Sequence, residues 1–169
     1  MGIGVPWLAA ALCLASAGCV RPARESANRA STAPSELEQS IFDAVNGERG
    51  EREIEPLEWS DEALEVARNH SERMARLGYF SHEDPELGGL DARMRRLGVR
   101  AWSAGENLFA IHGHADPVSL AVEGWLKSPG HRQNMLNSRF TRSAVGIARA
   151  DDGTIYCTQV FLRPFPLQF

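Results

Sequence analysis

Lysine is almost missing from this chain: Lys127 is the only one in 169 residues, and arginine carries nearly all the positive charge. The arginines are scattered, and the formal net charge is −4. That balance argues against a general nucleic-acid-binding role. Cysteine is scarce too, at three residues, Cys13, Cys19 and Cys157. If the first two are removed or modified, Cys157 stands alone and no disulfide can form within the domain. A domain of roughly 150 residues has enough core to fold without one. No apolar run approaches the ~20 residues that a membrane-spanning helix needs. There is no G-x-S-x-G elbow around Ser81 or Ser128, which sets serine hydrolysis aside. There is no His-x-x-x-His pair to fix two metal ligands on one helix, and no internal repeat. What remains is ordinary globular material, 43% hydrophobic and 24% charged, sized for one domain plus a targeting segment.

The targeting segment is at the N-terminus. Val5 to Ala17 is apolar or small almost throughout, the length of a secretory signal's apolar region, about 7–15 residues. Ser16-Ala17-Gly18-Cys19 resembles a bacterial lipobox, in which the cysteine is lipidated and becomes the first mature residue, although Ser16 stands where leucine is usual. We expect a signal peptide over residues 1–18, a flexible Ala-, Arg-, Ser- and Pro-rich tether over 19–35 starting at a lipidated Cys19, and a folded domain over 36–169. The expected location is the periplasm or cell surface, anchored to the membrane through that lipid.

In the domain, Leu37, Ile41, Ala44 and Val45 recur at helical spacing, and Ser35 with Glu38 forms a potential capping box. Ser60 caps a second helix whose inner face runs from Ala63 to Leu77 and includes His70; Gly78 ends it. A short third helix holds Leu90, Met94 and Leu97. Val99 to Trp102 reads as a short strand. Pro117 opens a fourth helix with the stripe Val118, Ala121, Val122, Trp125 and Leu126. Pro129-Gly130 reads as a break before another helical turn or two. Two strands, Ala144–Ala148 and Ile155–Phe161, flank the hairpin signal Asp151-Asp152-Gly153. Helices first and a hairpin last predict an α+β fold with a small antiparallel sheet covered by helices.

The chemistry concentrates in three segments. His82 follows a Gly-terminated helix, His131 follows Pro-Gly, and Glu106 sits between Gly105 and Asn107 in an otherwise apolar stretch. Two imidazoles and a carboxylate make a candidate zinc-like site with an open position; the bland reading is that both rings cap loops. A carboxylate at Glu106 is partly buried and must be paired, either functionally or by tying its strand to the final hairpin. His70 reads as a core histidine, and His112-x-His114 as a solvated loop. Cys157 reads as a small buried residue.

These residues carry a family resemblance. Val45 to Arg49, Leu57-Glu58-Trp59, His70-Ser71, Phe80-Ser81-His82, Gly105-Glu106-Asn107-Leu108, Trp125 with Ser128 to Leu136, Val145-Gly146-Ile147 and Tyr156 to Phe161 resemble, in order, the bacterial SCP-like branch of the CAP superfamily, over about Leu37 to Leu162. The resemblance implies an α-β-α sandwich around a small antiparallel sheet. It also implies a ligand-binding cleft comprising His82, Glu106, His131, Ser128 and Asn107, with His82 and His131 as ligands for a divalent cation such as zinc. Ser128 stands where the wider family has a second acid; Glu123, five residues away on the helix, points elsewhere by its angular offset. The expected function is an exported, envelope-anchored domain binding an unidentified small ligand, lipid, peptide or cell-wall component. One alternative is a metal-dependent hydrolase of peptide or cell-wall material with Glu106 as catalytic base. Another is a non-catalytic structural or adhesion module.

Overall fold

The protein is described by a computed structural model that covers Met1 and residues 34–166. Cys19, with nearly all of the expected leader and tether, lies outside the described residues. Residues 34–166 belong to one compact unit.

Nine elements follow in order: α1 (Glu36–Gly50), β1 (Glu58–Trp59), α2 (Asp61–Leu77), α3 (Leu90–Arg96), β2 (Ser103–Ile111), α4 (Pro117–Lys127), α5 (Pro129–Met135), β3 (Arg142–Arg149) and β4 (Ile155–Arg163). The helix ends obey the caps written in the sequence. Ser35 and Glu38 close a reciprocal capping box on α1, Ser60 accepts from Ala63 N at the start of α2, and Gly78 ends α2 in the left-handed conformation at φ 67°. There a side chain would be strained and glycine is not.

The four strands form one sheet in the order β1-β3-β4-β2. β2, β4 and β3 run antiparallel to their neighbours, as expected. β1 adds a two-residue parallel edge, pairing Glu58 with Arg142 and Trp59 with Ser143, a strand that the sequence pattern does not mark. The expected strand at 99–102 is not formed: Val99 is buried against α2 and α3 instead, and β2 starts at Ser103. Pro129-Gly130 is not a break either. It is the first turn of α5, where a missing N–H costs nothing, and Ser128 is the shared hinge that ends α4 and opens α5.

Helices cover both faces, giving the α-β-α sandwich. Even-numbered β4 residues such as Val160 and Leu162 pack with Ala63, Val66, Ala67 and Met94 from α2 and α3. Odd-numbered ones, Cys157 and Phe161, pack with α1, α4 and α5 through Ile41, Val45, Trp125 and Met135. Such alternation is the two-residue period of a strand buried on both faces. α2 lies so close to β3 that a Cβ on Gly146 would sit 2.2 Å from the backbone N of Arg68. Ser71 fastens that seam, its hydroxyl donating to Gly146 O at 2.8 Å and pairing with Thr158 Oγ1 at 2.9 Å.

Candidate functional site

The site forms at the edge strand β2, where the two helical layers reach around the sheet. Glu106 lies opposite Val160 and Asn107 opposite Gln159, so neighbouring residues of one strand face different layers. Glu106 turns to the α2–α3 side, where Oε1 accepts from His82 Nδ1 at 2.8 Å and Oε2 accepts from Arg93 Nη2 at 2.7 Å. Asn107 turns to the α5 side, where Nδ2 donates to the carbonyl of His131 at 3.0 Å and Oδ1 accepts from Asn134 Nδ2 at 3.0 Å. Asn134 also donates to Glu106 O at 3.1 Å. The two histidines thus come from opposite layers, and their ring centroids lie 5.9 Å apart.

Each histidine has its own mount. His82 stands on the α2–α3 connection, which is organised by buried Asp84. Asp84 Oδ1 accepts from the backbone N–H of Glu86 and of Leu87, both at 2.8 Å. Its other oxygen accepts from Tyr79 OH at 2.7 Å and from Arg73 Nε. Arg73 and Tyr79 together hold the Asp84 carboxyl far below the usual range. His70 adds a strut. Its Nε2 lies 3.0 Å from Ser81 O, and because a carbonyl can only accept, that nitrogen carries the proton. Burial depresses the pKa of His70, so it is the neutral core histidine expected. His131 rides on α5, whose C-terminal carbonyls are gathered by buried Arg49: Nη1 donates to Met135 O at 2.7 Å and to Asn137 O at 3.1 Å. The preceding helix is pinned by the Trp125 indole, which donates to Leu108 O at 2.8 Å.

The electrostatics follow from these partners. Burial pushes Glu106 upward, but the His82 hydrogen bond and the Arg93 charge outweigh it, so the carboxyl stays ionised below its ordinary value. An ionised carboxylate only accepts, so His82 Nδ1 is the donor and Nε2 is the ring nitrogen left without that bond. The His82 side chain is 53% exposed, so the ring is open to a ligand. His131 is lowered, first by burial and then by His82, against a smaller opposing effect of Glu106. It is neutral at pH 7. The cleft therefore presents two imidazoles, that of His131 neutral, in front of a carboxylate whose two oxygens each accept a hydrogen bond.

The other sequence candidates fall differently. Asn107 is fully buried and spends its amide on the backbone of α5, so it positions His131 and presents nothing to the cleft. Ser128 makes no side-chain capping bond and stands one turn before His131; no contact joins it to either ring. Glu123 pairs with Lys127 at 3.0 Å on the exposed face of α4, as its angular offset predicted. Glu106 does not tie β2 to the final hairpin by its side chain; it ties β2 to α3 and to the His82 loop. His112 and His114 are exposed. Among the described residues no group of three His, Cys, Asp or Glu side chains is placed to hold a metal ion. Arg93, Asn134 and Asp84 were not anticipated. Arg93 had a signal, since it lies between Leu90 and Met94 on the apolar stripe of α3, where a charge demands a buried partner.

Comparison with known proteins agrees with this fold. The family described as CAP, the Cysteine-rich secretory protein family, matches residues 42–161. The uncharacterized membrane protein YlbC of Bacillus subtilis (strain 168) is 39% identical over 126 residues, 75% of this chain and 34% of YlbC. The uncharacterized protein YkwD of the same organism is 32% identical over 141 residues, 82% of this chain and 52% of YkwD. This chain thus spans about a third of the one relative and about half of the other. The crystal structure of an extracellular protein containing a SCP domain from Bacillus anthracis str. Ames is similar at TM-score 0.66 and 40% identity, over 75% of this chain and 40% of that one. With its fold, its ordered motifs and most of its length accounted for in this way, the chain belongs to the cysteine-rich secretory protein (CAP) family.

Proposed function

We propose that this protein is an exported CAP domain, tethered to the cell envelope through Cys19, that binds a ligand between His82 and His131. One observation carries the reading. Glu106 holds His82 Nδ1 while Arg93 holds Glu106, so Nε2 is the nitrogen that His82 has left for a ligand, with the neutral His131 ring 5.9 Å away. A carboxylate behind a histidine is the arrangement that orients and strengthens an imidazole ligand. The export half of the reading is supported by the apolar segment before Cys19 and by the B. anthracis relative, which is described as extracellular. Among the described residues no helix is long and apolar enough to cross a membrane.

The residues present fit a divalent cation in a limited way. Two imidazoles on one tetrahedral cation have ring centroids roughly 5 Å apart, given bonds of ~2.0–2.1 Å. A modest turn of the exposed His82 ring reaches that spacing. With two protein ligands, the remaining positions fall to water or to the bound molecule, which makes an open and exchangeable site. Glu106 is poorly placed as a catalytic base, because its side chain is 4% exposed and both oxygens already accept from His82 or Arg93; this weighs against the hydrolase reading. The structural-module reading draws on Asn107 and Asn134, whose amides stitch the layers together.

Zinc titration followed by NMR of the histidine rings tests the proposal. The expected result is a saturable response of His82 and His131 that His131→Ala abolishes. A response confined to His70, His112 or His114 overturns the cation reading. Strong destabilisation by His131→Ala, with no ligand effect from any cleft variant, replaces it with the structural one.

A further inference from the structure

We infer that the protein carries a second site, a phosphate-type oxyanion site behind the cleft, with Arg93 shared between the two. Arg93 is 1% exposed. Its Nη2 edge faces forward to Glu106 and to His82 O. Its Nε and Nη1 are buried with no hydrogen-bond partner. A buried guanidinium with two empty donors is costly and calls for an acceptor.

Arg93 also forms part of the wall of a separate hollow of about 310 Å³ between α2 and α3. Arg73, Arg76 and Arg96 line the same hollow, with Glu72 and Glu86 as its acids. Glu86 is already engaged by Arg73 at 2.8 Å. Arg76 and Arg96 are exposed and have no ion-pair partner among the described residues. Arg73 and Arg93 are balanced by Asp84, Glu86 and Glu106, which leaves Arg76 and Arg96 against Glu72 as the positive side of the hollow. Guanidinium forks match the oxygens of a phosphate group in pairs, and the hollow has room for that group together with part of its carrier. The unliganded Arg93 donors are closed to bulk water, so the oxyanion enters by displacing the flexible side chains around them. The chemistry recognised is a phosphate mono- or diester end, borne by a lipid headgroup or by a soluble phosphate.

Apart from Arg93, this inference uses different residues from the cleft reading, so a zinc titration that leaves His82 and His131 unmoved does not touch it. The test is a titration of the full chain with inorganic phosphate, followed through the arginine Nε–H signals and by calorimetry. Saturable binding that shifts Arg93 Nε–H is expected. The double variant Arg76→Ala/Arg96→Ala, which leaves the buried pair alone, should weaken it about tenfold or more. Arg149→Ala, on the β3–β4 hairpin outside the hollow, should leave it unchanged. Vesicles containing phosphatidylglycerol are then added. If they displace phosphate from Arg93, the source is a lipid headgroup; if phosphate binds and vesicles do not compete, it is soluble. Linear shifts without saturation, or equal affinity in the double variant, overturn the proposal.

Discussion

Replacing Arg93 with methionine isolates what the buried ion pair contributes. The Arg93 and Glu106 side chains are 1% and 4% exposed and meet at 2.7 Å. With charge centres ~4 Å apart and an effective dielectric near 20, their attraction is about 4 kcal/mol. Methionine keeps the apolar stem but leaves Glu106 buried with His82 alone, and breaking such a pair costs about 3–5 kcal/mol. Two Arg93 donors are already unpartnered, and deleting them relieves part of that cost. The expected loss is therefore about 3 kcal/mol, read by urea unfolding at pH 7 with an unchanged slope. The Glu106 pKa should rise as well, since burial then acts with less opposition. The double variant Arg93→Met/Glu106→Leu should recover most of the loss, because paired removal of a buried ion pair is close to neutral. A single-variant cost below about 1 kcal/mol, or a double-variant cost equal to the sum of the singles, would show that this pair does not organise the site.

Gly146→Ala should destabilise by about 3 kcal/mol in thermal or chemical melts, because the new Cβ meets backbone atoms of Arg68 and Ala67 at 2.2 and 2.5 Å; an unchanged melting temperature refutes the tight α2–β3 seam. Stability should decline steadily on acidification. His70 and His131 have folded pKa values below the ordinary 6.5, so the unfolded chain takes up protons first and stability falls as pH drops through 6.5. Glu38 and Glu106 lie below 4.5, so their contribution is present above that value and is lost as pH falls through their folded pKa values. A profile flat from about pH 8 to about pH 5 contradicts the histidine part. Cys157 is fully buried and its thiol pKa is pushed up, so a thiol reagent should label it only on unfolding; rapid labelling of the native protein refutes that placement.

Much of the helical layer was legible because its signals are local. Ser35, Ser60, Gly78 and Pro117 each act within one turn, and the apolar stripes of α1, α2 and α4 have one period throughout. The hairpin was legible from Asp151-Asp152-Gly153 for the same reason. The parallel β1–β3 contact was not, since it joins residues 84 positions apart (Glu58 with Arg142) through only two residues. Pro129-Gly130 misled because proline ends one helix and begins another with equal ease, and only Ser128's dual role decides which. At the site, His82 and His131 stood out beside Gly- and Pro-Gly-marked boundaries and Glu106 as a carboxylate in an apolar stretch; His82 and Glu106 share a hydrogen bond while His131 faces them. The partners that fix them, Arg93, Asp84 and Asn134, sit inside helical or acidic stretches where such residues are common. Their roles depend on what a distant strand brings opposite them, which spacing along the chain does not encode.

Because consecutive residues of β2 grip opposite layers, the mouth of the cleft is also a clasp. A molecule held by both imidazoles would bolt together two slabs that otherwise meet through the sheet and through the Glu38–Arg68 ion pair. Occupancy would then register far from the rings, as slower amide exchange along β2 and α5 and as a slower unfolding rate. The mechanical toughness of the domain would become a gauge of whether its pocket is filled.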